Sequence, residues 1–299
     1  MLWLIIAILA YFLFALSSLG DKYILIGPPN PKVYAFYVGI LSIVVLLLIP
    51  FTGFFIPSLN QVFLFLLYGL IFILALLSLY GGLERFEVSR IIPALGGFLP
   101  IFTFVLAFFF LGQEGFFSSR TIISFCLLIL VSIFISKGES FNFSLKSLFF
   151  AGLSALFLSL CFIVSKIIYL QLDFWHGFIG MRLGVFVFAL FLMLSKDVRQ
   201  EIFAKKKAFT KKTTIVFLLV QILGAGAVIL QNWSIDLVDV LYISFVSALQ
   251  GVQYLFLFIF SLLFYKVFKE KISKNIVLQK SFAIILILVG LIILYYEKI

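Results

Sequence analysis

Ten apolar runs, each close to the length that crosses a lipid bilayer, decide where this chain can fold before any motif is read. They cover residues 2–20, 33–51, 60–83, 88–111, 118–136, 147–171, 174–195, 213–234, 238–265 and 275–296. A helix of about 20 residues spans a hydrocarbon layer roughly 30 Å thick and satisfies its own backbone groups, which lipid requires. With 65% hydrophobic and 11% charged residues and a mean hydropathy of +1.29, the chain is composed as an integral membrane protein. The short alternating segments of an outer-membrane barrel are absent. No basic residue precedes the first run, so it reads as a retained helix rather than a cleaved signal. Cys126 and Cys161 both fall inside apolar runs, which supports neither a disulfide framework nor a zinc cluster, and no cofactor is expected.

The runs fall into two copies of one five-helix unit. Residues 80–100 (YGGLERFEVSRIIPALGGFLP) align without gaps against 231–251 (QNWSIDLVDVLYISFVSALQG), an offset of 151, which is 231 minus 80. Lys166 precedes Arg182 by sixteen residues in the second copy, as Lys22 precedes Val38 in the first. The expected organisation is a first repeat over 1–136, a linker over 137–148 and a second repeat over 149–297. An odd number of spans per copy makes the second copy enter the bilayer inverted, the arrangement that secondary transporters build around a midplane site.

Charge placement agrees with inversion. The net charge of +10 is read by location in such a chain, as the mark of a cytoplasmic face rather than of nucleic-acid binding. Lys22, Lys32, Arg85, Arg90, Lys137, Lys146, Lys196, Arg199, Lys205, Lys206, Lys207, Lys211, Lys212, Lys266, Lys269, Lys271 and Lys274 follow the odd-numbered runs, against Arg120 and Lys298 on the other side. Equivalent loops of an inverted pair must lie on opposite faces. ERFEVSR, with two arginines, becomes SIDLVD, with Asp236 and Asp239. The cation-free FTGFFIPSLN becomes the lysine-rich 196–212 segment. Both termini are expected outside, and the membrane is expected to be the plasma (inner) membrane.

The stretch LPIFTFVLAFFFLGQE (99–114) resembles the fourth-helix signature of the EamA-like branch of the drug/metabolite transporter superfamily: a kinking proline, a bulky apolar run and a terminal Gly-x-Glu, here Pro100, Gly112 and Glu114. FIVSKIIYL (162–170) is similar to the end of the family's first helix with its lysine, and GMRLG (180–184) to its arginine-bearing second helix. The likeness covers about 3–136 and 149–296. In the second copy Gly251 stands where the first has Pro100, and Glu270 matches Glu114 only with a gap. The resemblance implies a pore between the halves, lined by spans one, three, four, six, eight and nine, that carries a small metabolite by alternating access.

Arg182 lies about eight residues into the seventh run, roughly 10–12 Å below the surface at about 1.5 Å per residue. An arginine at a helix centre costs about 2.5–3.5 kcal/mol on insertion scales, so a role is expected; outward snorkelling or capping of a neighbouring helix is the structural alternative. Lys166, shallower, divides evenly between snorkelling and a cavity role. Facing one cavity, the two make a positive patch suited to carboxylate or phosphate. Gln250, Gln253 and Tyr254 in the ninth run, Gln231 and Asn232 in the eighth, Tyr80 in the third and Tyr11 in the first are candidate substrate contacts, or else hydrogen-bonding glue between helices. Pro93, Gly96, Gly97, Pro100 and Gly251 are candidates for kinks or gating, or for close packing of small residues. His176, beside Asp173 and Trp175, reads as interfacial belt or proton relay.

All twelve acidic residues fall in loops or near helix ends, leaving no mid-membrane carboxylate to hold a drug cation or load a proton. Exchange or facilitated diffusion follows as the expected mode. The expectation is a transporter, not an enzyme, of a small anionic or zwitterionic metabolite such as an amino acid or phosphorylated compound, acting as a monomer or homodimer among membrane lipids. A flippase for a lipid-linked anionic head group is the nearest rival. A membrane-embedded enzyme would need clustered Asp, His or Ser at one depth, and a scaffold would need a domain outside the bilayer.

Overall fold

The computed structural model describes residues 2–24, 31–53, 55–86, 88–112, 118–135, 144–203 and 211–263, with the short stretches 285–286, 289–290 and 292–293. Glu114, Glu270, most of the 137–148 linker and most of the tenth run lie outside these residues, as do the side chains of Lys22, Arg90 and Pro93.

Among the described residues the fold is helical, with no strand. The helices are α1 (Leu2–Ile24), α2 (Pro31–Leu41), α3 (Ile49–Thr52), α4 (Leu59–Arg85), α5 (Val88–Phe110), α6 (Ser119–Ile135), α7 (Leu145–Tyr169), α8 (Phe174–Phe191), α9 (Lys196–Phe203), α10 (Lys211–Leu237), α11 (Ile243–Ala248) and α12 (Gln250–Leu263). Among the described residues five helical segments are long and apolar enough to cross a membrane: Pro31–Thr52, Leu59–Arg85, Leu145–Tyr169, Phe174–Leu194 and Val240–Leu257. Large apolar side chains point outward, Phe51 at 86% exposure and Phe109 at 73% among them. An outer surface of that kind is solvated by lipid, and this is a membrane protein.

Two departures from uninterrupted helices have local causes. Residues Ser42–Leu48 wind as a 3-10 helix between α2 and α3. Pro50 has no N–H to give the Leu46 carbonyl four residues back. In the tighter winding Ile49 N–H bonds that carbonyl instead. The ninth run is likewise divided, into a 3-10 turn at Val240–Tyr242, then α11, then α12, with the interruption at Leu249. There Leu249 N–H reaches Phe245 O and Val252 N–H reaches Leu249 O, beside Gly251, a poor helix former.

Packing fixes the relative direction of several pairs. Along α1 and α10, Ser234 bonds the Trp3 carbonyl, Gln231 bonds Tyr11, Gly226 abuts Leu13 and Ser17 bonds the Val220 carbonyl; the two run antiparallel. So do α4 and α7, since Gly82 meets Phe150 while Tyr68 lies beside Ser165. By contrast α5 and α7 are parallel, with Phe98 at Gly152 and Thr103 bonded to Ser159. α1 also packs against α12, through Phe12–Phe256 and Ser18–Gln253. Small residues make these approaches possible: Ala7, Ala10, Ala15, Ala151 and Ala155 are fully buried. Between helices in lipid, close packing replaces the hydrophobic drive.

Candidate functional site

The site begins with a crossing of α4 over α8 that only glycine permits. A Cβ on Gly184 would lie 1.9 Å from the Phe65 carbonyl oxygen, and one on Gly69 would lie 2.2 Å from the Gly184 backbone. The two backbones touch. Gly180, one turn earlier, faces the Phe65 ring. Next to this contact, Phe72 of α4 and Phe178 of α8 lie 5.4 and 5.3 Å from the guanidinium carbon of Arg182. Arg182 is only 9% exposed. Its two aromatic contacts are attractive by about 0.5–2 kcal/mol each, depending on how dry the site is.

No hydrogen bond or ion pair joins Arg182 to another of the described residues; the ring contacts are what hold it. Its charge acts on the Tyr68 hydroxyl of α4 and on the Cys161 thiol and Tyr169 hydroxyl of α7. Tyr68 lies beside Ser165. Tyr169 donates to Asn232 Oδ1 on α10 at 3.1 Å, and Asn232 Nδ2 donates to the Val228 carbonyl at 3.0 Å. Phe174 then stacks with Tyr169, Phe178 and Trp233. Four helices thus converge on one buried cation with neutral hydroxyls and aromatic walls. Such a guanidinium presents its N–H edge for a planar anion.

Lys166, also buried, is placed differently. Its Nζ donates to the carbonyl oxygens of Ile235 at 3.2 Å, Asp236 at 2.8 Å and Val238 at 2.6 Å. An ammonium has three donors, and all three are used. These carbonyls are at the C-terminal end of α10, where a cation also meets the negative pole of the helix. Lys166 is a clamp that ties α7 to that end. Lys166→Met is expected to lower folding stability by about 3 kcal/mol, because charge-assisted bonds are lost and buried carbonyls are left open. A melting temperature in detergent within a degree of the parent would show that the clamp carries no stability.

The remaining candidates gather around α1 and the divided ninth run. Tyr11 donates to the Val246 carbonyl at 2.7 Å and accepts from Gln231 at 3.3 Å. Gln253 donates to Ser18 at 3.2 Å, and Tyr254 donates to the Ile92 carbonyl at 3.3 Å. A Cβ on Gly96 would meet the Tyr254 hydroxyl at 3.2 Å, so the small residue admits that ring. Gln250 sits at the start of α12, and its Oε1 is buried with no partner, as is Ser244 Oγ on α11. Gly97, Pro100 and Gly251 are buried; Gly251 lies beside the interruption at Leu249, while α5 runs unbroken through Pro93 and Pro100. Tyr80 is half-buried near the end of α4. Gln231 and Asn232, adjacent on α10, turn to different partners and so link the two groups.

Asp173 caps α8 through the His176 N–H and is joined to its ring, over which Phe55 lies. Partial burial pushes the Asp173 carboxyl up, but the hydrogen bonds and charge of His176 outweigh this and hold it below the usual range. Among the described residues no group of three His, Cys, Asp or Glu could hold a metal ion.

Sequence reading did not single out Tyr68, Tyr169, Phe72, Phe178 or Ser165. Tyr169 follows Lys166 by three residues, on the same helix face, and Tyr68 is a polar group in the middle of an apolar run; both signals were present. Phe72 and Phe178 carried none, being two of 41 phenylalanines.

No family model matches the sequence, and no curated protein aligns with it. Solved structures do match. One of them, described only as "Crystal structure of protein", aligns over 97% of this chain and 96% of its own at 13% identity, with a TM-score of 0.69. At that identity the likeness is one of fold alone.

Proposed function

We propose that the chain is a secondary transporter of small anionic or zwitterionic metabolites in the plasma membrane, of the EamA-like kind. It works by alternating access between two inverted five-helix repeats, 1–136 and 149–297. The observation that carries this is Arg182: a buried guanidinium with no hydrogen bond or ion pair among the described residues, set between aromatic rings where four helices meet. An unpaired buried cation is costly unless something arrives to meet it.

The pairing of helices supports the repeat. The antiparallel contact of α1 with α10 has its counterpart in that of α7 with α4, and the contact of α1 with α12 in that of α7 with α5. Such counterparts are what an inverted duplication produces. Reporter fusions placed after Lys207 and Lys271 are expected to score cytoplasmic, and fusions after Asn60, Gly115 and Asp236 external. A cytoplasmic score at Asp236 with an external one at Lys207 would overturn the orientation.

Transport itself is tested in proteoliposomes loaded with a mixture of small carboxylates, amino acids and phosphate esters. Release of one class into a substrate-containing bath, and not into buffer, is expected. Release of none, from protein that melts cooperatively, would sink the transport reading.

A further inference from the structure

The ligand class of the Arg182 site can be narrowed beyond "anionic", on the assumption that this site is the transport site just described. We propose that Arg182 binds the carboxylate of a monoanionic compound whose remainder is apolar or aromatic, and that phosphate esters and other dianions are excluded.

The first ground is charge. Of the cations on α4, α7, α8 and α10, Arg85 stacks on Phe150 at the far end of α4, Lys146 is exposed in the first turn of α7, Lys211 and Lys212 begin α10 at the end opposite Asn232, and Lys166 has all three donors on carbonyls. Its charge is further balanced by Asp236 and Asp239. Arg182 therefore supplies one positive charge. A phosphate monoester carries about −1.5 to −2 near neutral pH, which leaves about half to one negative charge uncompensated in a region of low dielectric. A carboxylate leaves none.

Geometry is the second. With Phe72 and Phe178 against the guanidinium, its N–H edge remains for one planar, bidentate partner. The other polar groups within reach are neutral, Tyr68 beside Ser165 and Tyr169 bonded to Asn232. They can orient one carboxylate but cannot neutralise a second charge.

The walls supply the third. Beyond Arg182 run the stacked rings of Phe178, Phe174, Tyr169 and Trp233, which favour an apolar remainder over a hydrated one. A substrate ammonium would want an anion. Asp173 is engaged by His176, and Asp236 and Asp239 face Lys166. Zwitterions are therefore accepted less readily than plain monocarboxylates.

Three probes that share a phenyl ring separate these cases: 3-phenylpropionate, phenylalanine and phenyl phosphate, each titrated calorimetrically against the full-length protein in nanodiscs. The expected order is 3-phenylpropionate tightest, phenylalanine next and phenyl phosphate at least ~10-fold weaker than the first, the cost of one poorly compensated charge. Arg182→Gln should abolish the 3-phenylpropionate signal, and Tyr68→Phe, which keeps the ring, should weaken it by roughly 3–10-fold. Phenyl phosphate binding as tightly as 3-phenylpropionate, or no binding of any probe, overturns the proposal. Should Arg182→Gln not fold, the ranking on the parent protein and the Tyr68→Phe titration decide it. Counterflow in proteoliposomes separates the two claims. Arg182-dependent binding of 3-phenylpropionate without its movement would fell transport and keep the ligand class. Arg182-dependent movement of phosphate esters would do the reverse.

Discussion

Arg182→Gln is expected to reduce transport at least ~100-fold while leaving the melting temperature of the ligand-free protein unchanged or slightly raised. A glutamine nearly fills the space but offers neither charge nor the two-pronged edge, and losing a charge-assisted bidentate contact in a dry site costs about 2–5 kcal/mol in binding. Fold stability moves the other way. The free protein carries this guanidinium without an anionic partner among the described residues, so removing the charge also removes the cost of burying it. Against this stands the loss of two ring contacts, about 0.5–2 kcal/mol each, which keeps the net change small. The measurement is paired: uptake by proteoliposomes, and thermal unfolding of the same preparation. Transport and fold lost together would make Arg182 a structural residue. The opposite behaviour is expected of Lys166, whose substitution should lower stability and spare affinity. This contrast distinguishes a waiting cation from a satisfied one.

Gly184→Ala is expected to have the largest effect on the fold. The added methyl would sit 1.9 Å from the Phe65 carbonyl oxygen, deep inside van der Waals contact, and the obstacle is backbone, which cannot rotate aside as a side chain can. Overpacking of a buried site costs about 1–3 kcal/mol and more when main chain must move; here α4 and α8 would have to part. Phe72 and Tyr68 would then leave Arg182, so residual folded protein should also bind poorly. Gly53, which has nothing within 4 Å of a built Cβ but has φ +88°, is a useful contrast: alanine there strains one residue of backbone and should cost about 1–2 kcal/mol without touching binding. Expression and monodispersity of the Gly184 variant, measured beside that control, test the point. A Gly184→Ala protein that is folded and melts like the parent would show that the crossing has slack.

How much of this was legible in the sequence depended on distance along the chain. Apolar length, the membrane setting and the helical class are local properties and were readable. Arg182 stood out because a charge inside an apolar run is a local feature as well. Partners were not readable. The sequence reading weighed helix capping for Arg182, and in the structure that contact belongs to Lys166, because which of two cations meets the end of α10 depends on the tilt of helices separated by some seventy residues. GMRLG attracted notice for its arginine, yet its glycines set the crossing, and nothing local says that Gly184 will face the main chain of Phe65. Tyr68 and Tyr169 were passed over for a different reason: a tyrosine in an apolar run reads equally as interfacial belt, packing or ligand contact until its neighbours are known. The 3-10 stretch before Pro50 and the interruption at Leu249 sit beside a proline and a glycine, residues whose presence was visible, but the length over which each disturbs its helix is decided by packing.

The isolation of Arg182 also bears on how much of this protein a cell would keep. A ligand that binds only the folded form stabilises it in proportion to the logarithm of its concentration, by about 2.7 kcal/mol at a hundred times its dissociation constant. For a chain whose empty site holds an unanswered charge, that increment is large beside ordinary margins of stability, and differences of about 1–2 kcal/mol already alter abundance several-fold through quality-control proteolysis. On the transport function proposed above, supply of the compound would therefore govern the lifetime of its own carrier, with no regulator and no change in synthesis. Starved cells would clear the empty protein; fed cells would retain it.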